Sequence, residues 1–296
     1  MMPAPPLPGP VLTPESFRRF GVRGCELRYY RHGAGVPIVL LHPLRAQLEY
    51  FVPLMRHLDG AQADVLAVDL PGHGQSGAPR ADYTATYFTD AVEGLLDAAG
   101  IREAVVAGES IGGAIALALA ARHNPRVARV VALNPYDYGR RGGIRRSSAL
   151  ANVLFTAMLW PVAGPVVARA GTRGVLRKVL DGGLHDPRKL PPALVDELYR
   201  CGSLPGHARA FRSLCLHWES WVTAREHYPS IEVPVTLAYG DDDWSRPPER
   251  EANERAIHPT RTLTLERCGH FSCLEKPSAI ADLIGQCMGM STLFMT

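Results

Sequence analysis

The stretch AVVAGESIGGAIALALAARH, residues 104–123, decides the fold. Its first five residues are an unbroken apolar run, and from Ile111 onward small and apolar residues continue for a helix length. A short continuous apolar run is what a strand covered on both faces demands, and such strands belong to parallel sheets flanked by helices. Between run and helix lies Gly108-Glu109-Ser110-Ile111-Gly112, a G-x-S-x-G pattern followed by Gly113. In a strand-to-helix setting this pattern marks a nucleophile elbow. The chain turns so sharply that the serine backbone is strained, and glycines two residues either side avoid a clash. The turn presents the Ser110 hydroxyl at a helix N-terminus, where free N–H groups and the helix dipole favour developing negative charge.

The same grammar repeats on either side. Apolar runs at 38–42 (IVLLH), 65–69 (VLAVD), 127–133 (VARVVAL), 235–239 (VTLAY) and 262–265 (TLTL) read as further strands, with a more polar one at 26–31. Helix-length segments lie at 47–58, 87–98, 111–123, 248–257 and 277–288. This alternation predicts an α/β fold: a mostly parallel central sheet, helices on both faces and right-handed crossovers. Residues 134–234 break the rhythm with no convincing strand and a helical pattern rich in Leu, Ala, Arg and Trp. An insertion of that length in one connection of a parallel sheet predicts a helical cap, or lid. The expected organisation is a flexible leader at 1–16, a core at 17–135 and 229–290, and a cap at 136–228.

A chain of 296 residues can bury roughly 75% of its extended surface, which excludes a minimal disulfide-stapled scaffold. Glycine (28) and proline (25) are frequent, but their share stays below the ~25–30% at which disorder is the default. A net charge of +3 is too balanced to make nucleic acid the main partner. That balance is unevenly spread: residues 136–228 hold 12 Arg and 2 Lys against 4 Asp and 3 Glu, a net of +7 that leaves the remainder at −4. The excess suggests either a solvated arginine-rich face or recognition of anionic substrates, such as acyl-phosphopantetheine or carboxylates. The six cysteines, Cys25, Cys201, Cys215, Cys268, Cys273 and Cys287, form no C-x-x-C pair. They are expected to be buried reduced thiols of a cytoplasmic protein rather than metal ligands or disulfides. The N-terminal 14 residues carry six prolines and no apolar signal core. Residues 147–168 contain no charge and are long enough for a membrane span. Two prolines, a glycine and the need for the flanking strands to share one sheet argue instead for apolar cap helices, with a lipid-touching surface as the alternative.

A serine hydroxyl is a poor nucleophile at neutral pH and needs a base, which needs an orienting acid. Downstream, Tyr239-Gly240-Asp241-Asp242-Asp243-Trp244 follows one predicted strand and Cys268-Gly269-His270-Phe271 the last. The order Ser, Asp, His, each just past a strand end, resembles the α/β-hydrolase family over residues 20–290, with the marks GESIGG, DLPGHGQS, YGDDDW and GHFSCLEKP. The resemblance implies Ser110 as nucleophile, His270 as general base and Asp243 as acid, with Asp241 and Asp242 as alternatives. His42, His73 and His258 are rivals for the base. The first two read as site-lining or loop-holding residues and the third as a surface residue. It further implies an oxyanion hole of the Ile111 and Leu44 amides. Where the family usually has His-Gly-X, this chain has His42-Pro43-Leu44, and proline has no N–H. Glu109, His42, Trp244 and Phe271 are expected to line the site, and Gly72, Gly74 and Gly77 to shape a structural turn.

The resemblance implies a cofactor-independent, metal-independent serine hydrolase acting on a small molecule, an esterase for a small or medium apolar substrate being the first expectation. Serine at the elbow argues against the aspartate-using dehalogenases and epoxide hydrolases. Phe271, where C–C bond hydrolases often have tryptophan, argues against that branch. The alternatives keep the triad for C–C hydrolysis, acyl transfer or a lyase reaction, or keep only the fold in a non-catalytic ligand-binding protein. Trp160, Trp218 and Trp221 are expected either to fill the cap core or to line an apolar pocket.

Overall fold

The computed structural model describes residue 12 and residues 16–58, 60, 62–139 and 142–289. The leader expected at 1–16 thus falls outside the described residues except at Leu12 and Ser16. Among the described residues there are eight strands: β1 (Phe17–Val22), β2 (Cys25–Gly33), β3 (Val36–Leu41), β4 (Ala63–Val68), β5 (Ala104–Glu109), β6 (Val127–Leu133), β7 (Val235–Gly240) and β8 (Arg261–Leu265). They form one sheet in the order β1-β2-β4-β3-β5-β6-β7-β8. Strands β3 to β8 run parallel, while β1 pairs antiparallel with β2 and β2 with β4. Every residue of β4, β5 and β7 is buried, as their apolar runs require.

Departures from the expected elements lie at the start of the chain. β2 contains the predicted strand 26–31, but β1 (FRRFGV) was not expected, because its exposed Arg18, Arg19 and Gly21 hide the strand period at the sheet edge. The helix expected over 47–58 is a 3-10 turn at Leu48–Phe51 followed by a single turn, α1 (Val52–Met55). Pro53 lacks an N–H and sits in the first turn of α1, where no donor is needed but where a helix from 47 could not run through.

The remaining core helices are α2 (Ala85–Ala98), α3 (Ile111–Ala121), α10 (Pro247–Ile257), α11 (Ser272–Glu275) and α12 (Pro277–Gly289). α3 is buried along its whole length and packs on β5, β6 and α2, while α12 packs on α1, α11 and β5. Between β6 and β7 come α4 (Ala149–Met158), α5 (Gly164–Arg169), α6 (Arg173–Asp181), α7 (Pro192–Gly202), α8 (His207–Leu216) and α9 (Glu219–Ala224). The uncharged stretch 147–168 is split between α4 and α5, and no helix among the described residues is long and apolar enough to cross a membrane. Trp218 and Trp221 are buried, whereas Val153, Trp160, Val162 and Val166 are exposed.

Candidate active site

Ser110 follows the last residue of β5 with φ 60° and ψ −120° and opens α3. An L-residue rarely holds a positive φ, so the neighbouring backbone must enforce it. The Ser110 amide donates to the Leu133 carbonyl (2.9 Å), and its carbonyl accepts from the Tyr136 amide (3.0 Å). A Cβ on Gly108 would lie 2.1 Å from the Gly112 carbonyl oxygen, and one on Gly112 would lie 2.0 Å from that of Leu41. The two glycines therefore let the turn close on itself and let α3 lie directly against the end of β3.

The Ser110 hydroxyl donates to His270 Nε2 at 2.8 Å. On the other side of the ring, Nδ1–H donates to Asp243 Oδ1 in a short bond. Burial works to raise the Asp243 pKa, but the facing His270 and hydrogen bonds from His270 and Ser245 outweigh it and hold the carboxyl below its ordinary value. The second carboxylate oxygen accepts from the Ser245 amide (2.9 Å) and from the Ser245 hydroxyl, which itself accepts from Arg250 Nε at 2.9 Å. Trp244 stacks on the imidazole with ring centres 4.1 Å apart, anchored by its Nε1–H bond to the Gly182 carbonyl (3.0 Å). The His270 amide donates to the Gly183 carbonyl (2.7 Å), so the turn after α6 holds the histidine loop.

Ser110 and His270 face a cavity of about 240 Å³, with Pro43, Leu44, Trp244 and Phe271 in its wall and residues of α4 to α8 closing it. Its volume is just below the ~300–1,000 Å³ of ordinary ligand pockets. Leu44 lines the same cavity as Ser110. Ile111 is the first residue of α3, so its N–H has no partner inside the helix.

A family model for the alpha/beta hydrolase fold matches residues 36–277. The chain belongs to the α/β-hydrolase fold family. Among its relatives, 2-hydroxymuconate semialdehyde hydrolase of Pseudomonas sp. strain CF600 is 26% identical over 93% of this chain and 95% of its own. The enol-lactonase of Burkholderia xenovorans LB400 superposes with a TM-score of 0.73, at 26% identity and with 91% and 98% of the two chains covered. Cfl2 of Burkholderia cenocepacia superposes at 0.80 with 22% identity over 92% and 95%. Hydrolysis is the chemistry that this membership supports.

Against this α/β-hydrolase frame, several expected site residues take other positions. His42 is fully buried and does not line the cavity: Nδ1–H donates to the Pro43 carbonyl (2.8 Å) and Nε2 accepts from the Leu70 amide (3.0 Å), so both ring nitrogens hold loops. Glu109 also turns away from the cavity. Its carboxylate accepts from the Ser272 amide (2.6 Å), the Cys273 amide (3.3 Å) and the hydroxyls of Tyr50 and Ser272. It clamps the elbow to the segment just after His270, and burial holds its pKa above the ordinary value despite those donors. Asp241 accepts from the amides of Arg267 (2.8 Å) and Cys268 (2.9 Å), and Asp242 pairs with His185. Neither reaches His270. Gly74 lies in the DLPGHGQS turn at φ 52°, where a Cβ would strike the buried Asp69 carboxyl at 2.2 Å.

Two positions were not read from the sequence. Asn134, at φ 44°, donates to the His270 carbonyl (3.1 Å) and accepts from the Gly240 amide (2.9 Å), tying the ends of β6 and β7 to the histidine loop. Its signal is an Asn before Pro at a strand end, a place suited to left-handed backbone. The other is Arg45, in the cavity wall immediately after Leu44.

Proposed function

We propose that this chain is a serine hydrolase that cleaves a carboxylic ester of a small to medium substrate through an acyl-enzyme, with α4 to α9 acting as its cap. The observation that carries the reading is the Ser110 hydroxyl, held at a strained elbow 2.8 Å from His270 Nε2 at the edge of an apolar cavity. Ser110 Oγ attacks the ester carbonyl as His270 Nε2 takes its proton, and Asp243 stabilises the resulting imidazolium without becoming protonated. The amides of Ile111 and Leu44 receive the oxyanion. The tetrahedral adduct collapses, and the alcohol leaves with the proton from His270. Water then gives a proton to His270 and attacks the acyl-enzyme, releasing the acid and restoring Ser110.

Ser110→Ala is expected to lower kcat on p-nitrophenyl esters by about 10⁵–10⁶-fold without changing the melting temperature. A fluorophosphonate probe is expected to label Ser110 in the native protein. Wild-type rates in the variant, or no labelling, would overturn this reading. A second reading, C–C hydrolysis of a diketone by the same groups, is favoured by the likeness to a relative named as a semialdehyde hydrolase. Product analysis on a β-diketone beside an ester separates the two.

A further inference from the structure

Arg45 lies in the wall of the cavity that Ser110 and His270 face. Its backbone is held at φ 63°, a conformation that a residue with a long side chain adopts only when its surroundings enforce it. The guanidinium carbon sits 4.9 Å over the Phe211 ring. The guanidinium nitrogens press against the C-terminal end of α7, where a Cβ on Gly202 would meet Nη2 at 2.9 Å. The ring covers one face of the guanidinium plane, which leaves its N–H edges as the donors on offer.

Among the described residues, Arg45 makes no ion pair and no hydrogen bond, and the neighbour that favours its charge is the Cys215 thiol. The guanidinium of Arg28, which is buried where that of Arg45 is half-buried, is held by both Asp69 (2.6 Å) and Glu49 (2.8 Å). The remaining cavity wall is apolar except for Thr172, Tyr136, Tyr199 and the Ser110–His270 pair. Arg45 is half-buried, and a cation without an anionic partner in an apolar wall is unfavourable to the extent that it is shielded from water, so burial pushes its pKa down. The planar fork of a guanidinium fits a carboxylate through two parallel N–H···O bonds.

We propose that Arg45 sets the specificity of the cavity by pairing with a free carboxylate on the substrate. The favoured substrate is thus an ester with an apolar body and one carboxylate, bound with that carboxylate toward the 43–45 loop. The ester part of this statement rests on the reading above, whereas the carboxylate site does not.

Binding to a protein that cannot turn over isolates the site. Ser110→Ala is expected to bind monobutyl glutarate about ten- to a hundredfold more tightly by calorimetry than the corresponding neutral primary amide. Adding Arg45→Met is expected to abolish that preference, and adding Arg45→Lys, which keeps a charge but loses the fork, to restore part of it. A thermal melt of each variant confirms that it is folded. Equal affinity for acid and amide, no binding of the monoester, or a preference that survives Arg45→Met would each overturn the carboxylate site. Acid-selective binding without hydrolysis of the monoester by the Ser110-bearing protein would instead overturn the ester reading alone and leave the site standing.

Discussion

A histidine can take a proton from serine only if its other ring nitrogen is held in the right tautomer, and here the holder is one of three consecutive aspartates. Asp243 reaches His270 Nδ1, while Asp241 spends its carboxylate on the amides of Arg267 and Cys268. Asp243→Asn is expected to leave the fold intact and lower kcat by about 10³–10⁴-fold, through the wrong tautomer. Asp241→Asn is expected to keep kcat within about tenfold, because its bonds stop short of His270. Side-by-side ester kinetics on the two variants check the assignment, and the reverse order of damage would refute it. At this scale the meeting of Ser110 and His270 was legible because each sits in a motif at a strand end. Within Asp241–Asp243 the family resemblance pointed to Asp243, three residues after Gly240, but the residues alone left Asp241 and Asp242 open, since the choice depends on which way the turn after β7 points each carboxylate. Glu109 was misread for the same reason: its place in G-x-S-x-G says it is near the serine, but not that its side chain leaves toward Tyr50 and Ser272.

Elements were legible where burial is uniform. β5, an apolar run up to Glu109, and α3 are buried on every side and could be read as a strand and a buried helix, whereas β1 at the sheet edge and the 3-10 turn before α1 show no clean period. What fixes α3 in place is a contact rather than a pattern: Gly112 brings the helix against the Leu41 carbonyl. Gly112→Ala must push that helix away from β3, an overpacking that costs about 1–3 kcal/mol. The expected outcome is a lower denaturation midpoint with an unchanged slope, together with loss of fluorophosphonate labelling, because the elbow moves with the helix. A midpoint equal to wild type would show that the close approach is not required. The cavity-facing sides of α4 to α8 could not be read in this way. Their apolar residues meet across short helices whose packing angles no local period encodes.

Across the whole molecule, charge was legible as a sum but not as an arrangement. The basic excess of residues 136–228 was open to a solvated face or to an anionic ligand, and much of it goes into ion pairs: Arg146 with Glu249, Arg173 with Asp196, Arg177 with Asp181, Arg188 with Asp186 and Arg200 with Glu197. The cation left unpaired in the cavity wall belongs to the loop after β3. Three buried histidines near that loop make the fold itself sensitive to pH. Burial pushes the His42 pKa down from 6.5 to about 4. Burial also lowers His73, with His42 and Arg45 adding to it, and lowers His207, with Arg45 adding to it. For His42, protonation would cost the bond that Nε2 accepts from Leu70. The folded state therefore refuses a proton that the unfolded chain takes up near pH 6.5. The stabilisation from a neutral His42 is complete above that value and is lost as the pH falls toward 4. Between about pH 7 and pH 5 this group alone should remove about 2 kcal/mol from the unfolding free energy. Buried carboxylates with raised pKa values, Glu109 and Asp69 among them, act in the opposite direction over the lower part of the range, so the test compares slopes rather than totals. His42→Gln is expected to be less stable at neutral pH because the ring bonds are lost, yet to lose less further stability on acidification. Urea unfolding of both proteins at the two pH values reads this directly, and parallel pH dependences would place the missing proton elsewhere.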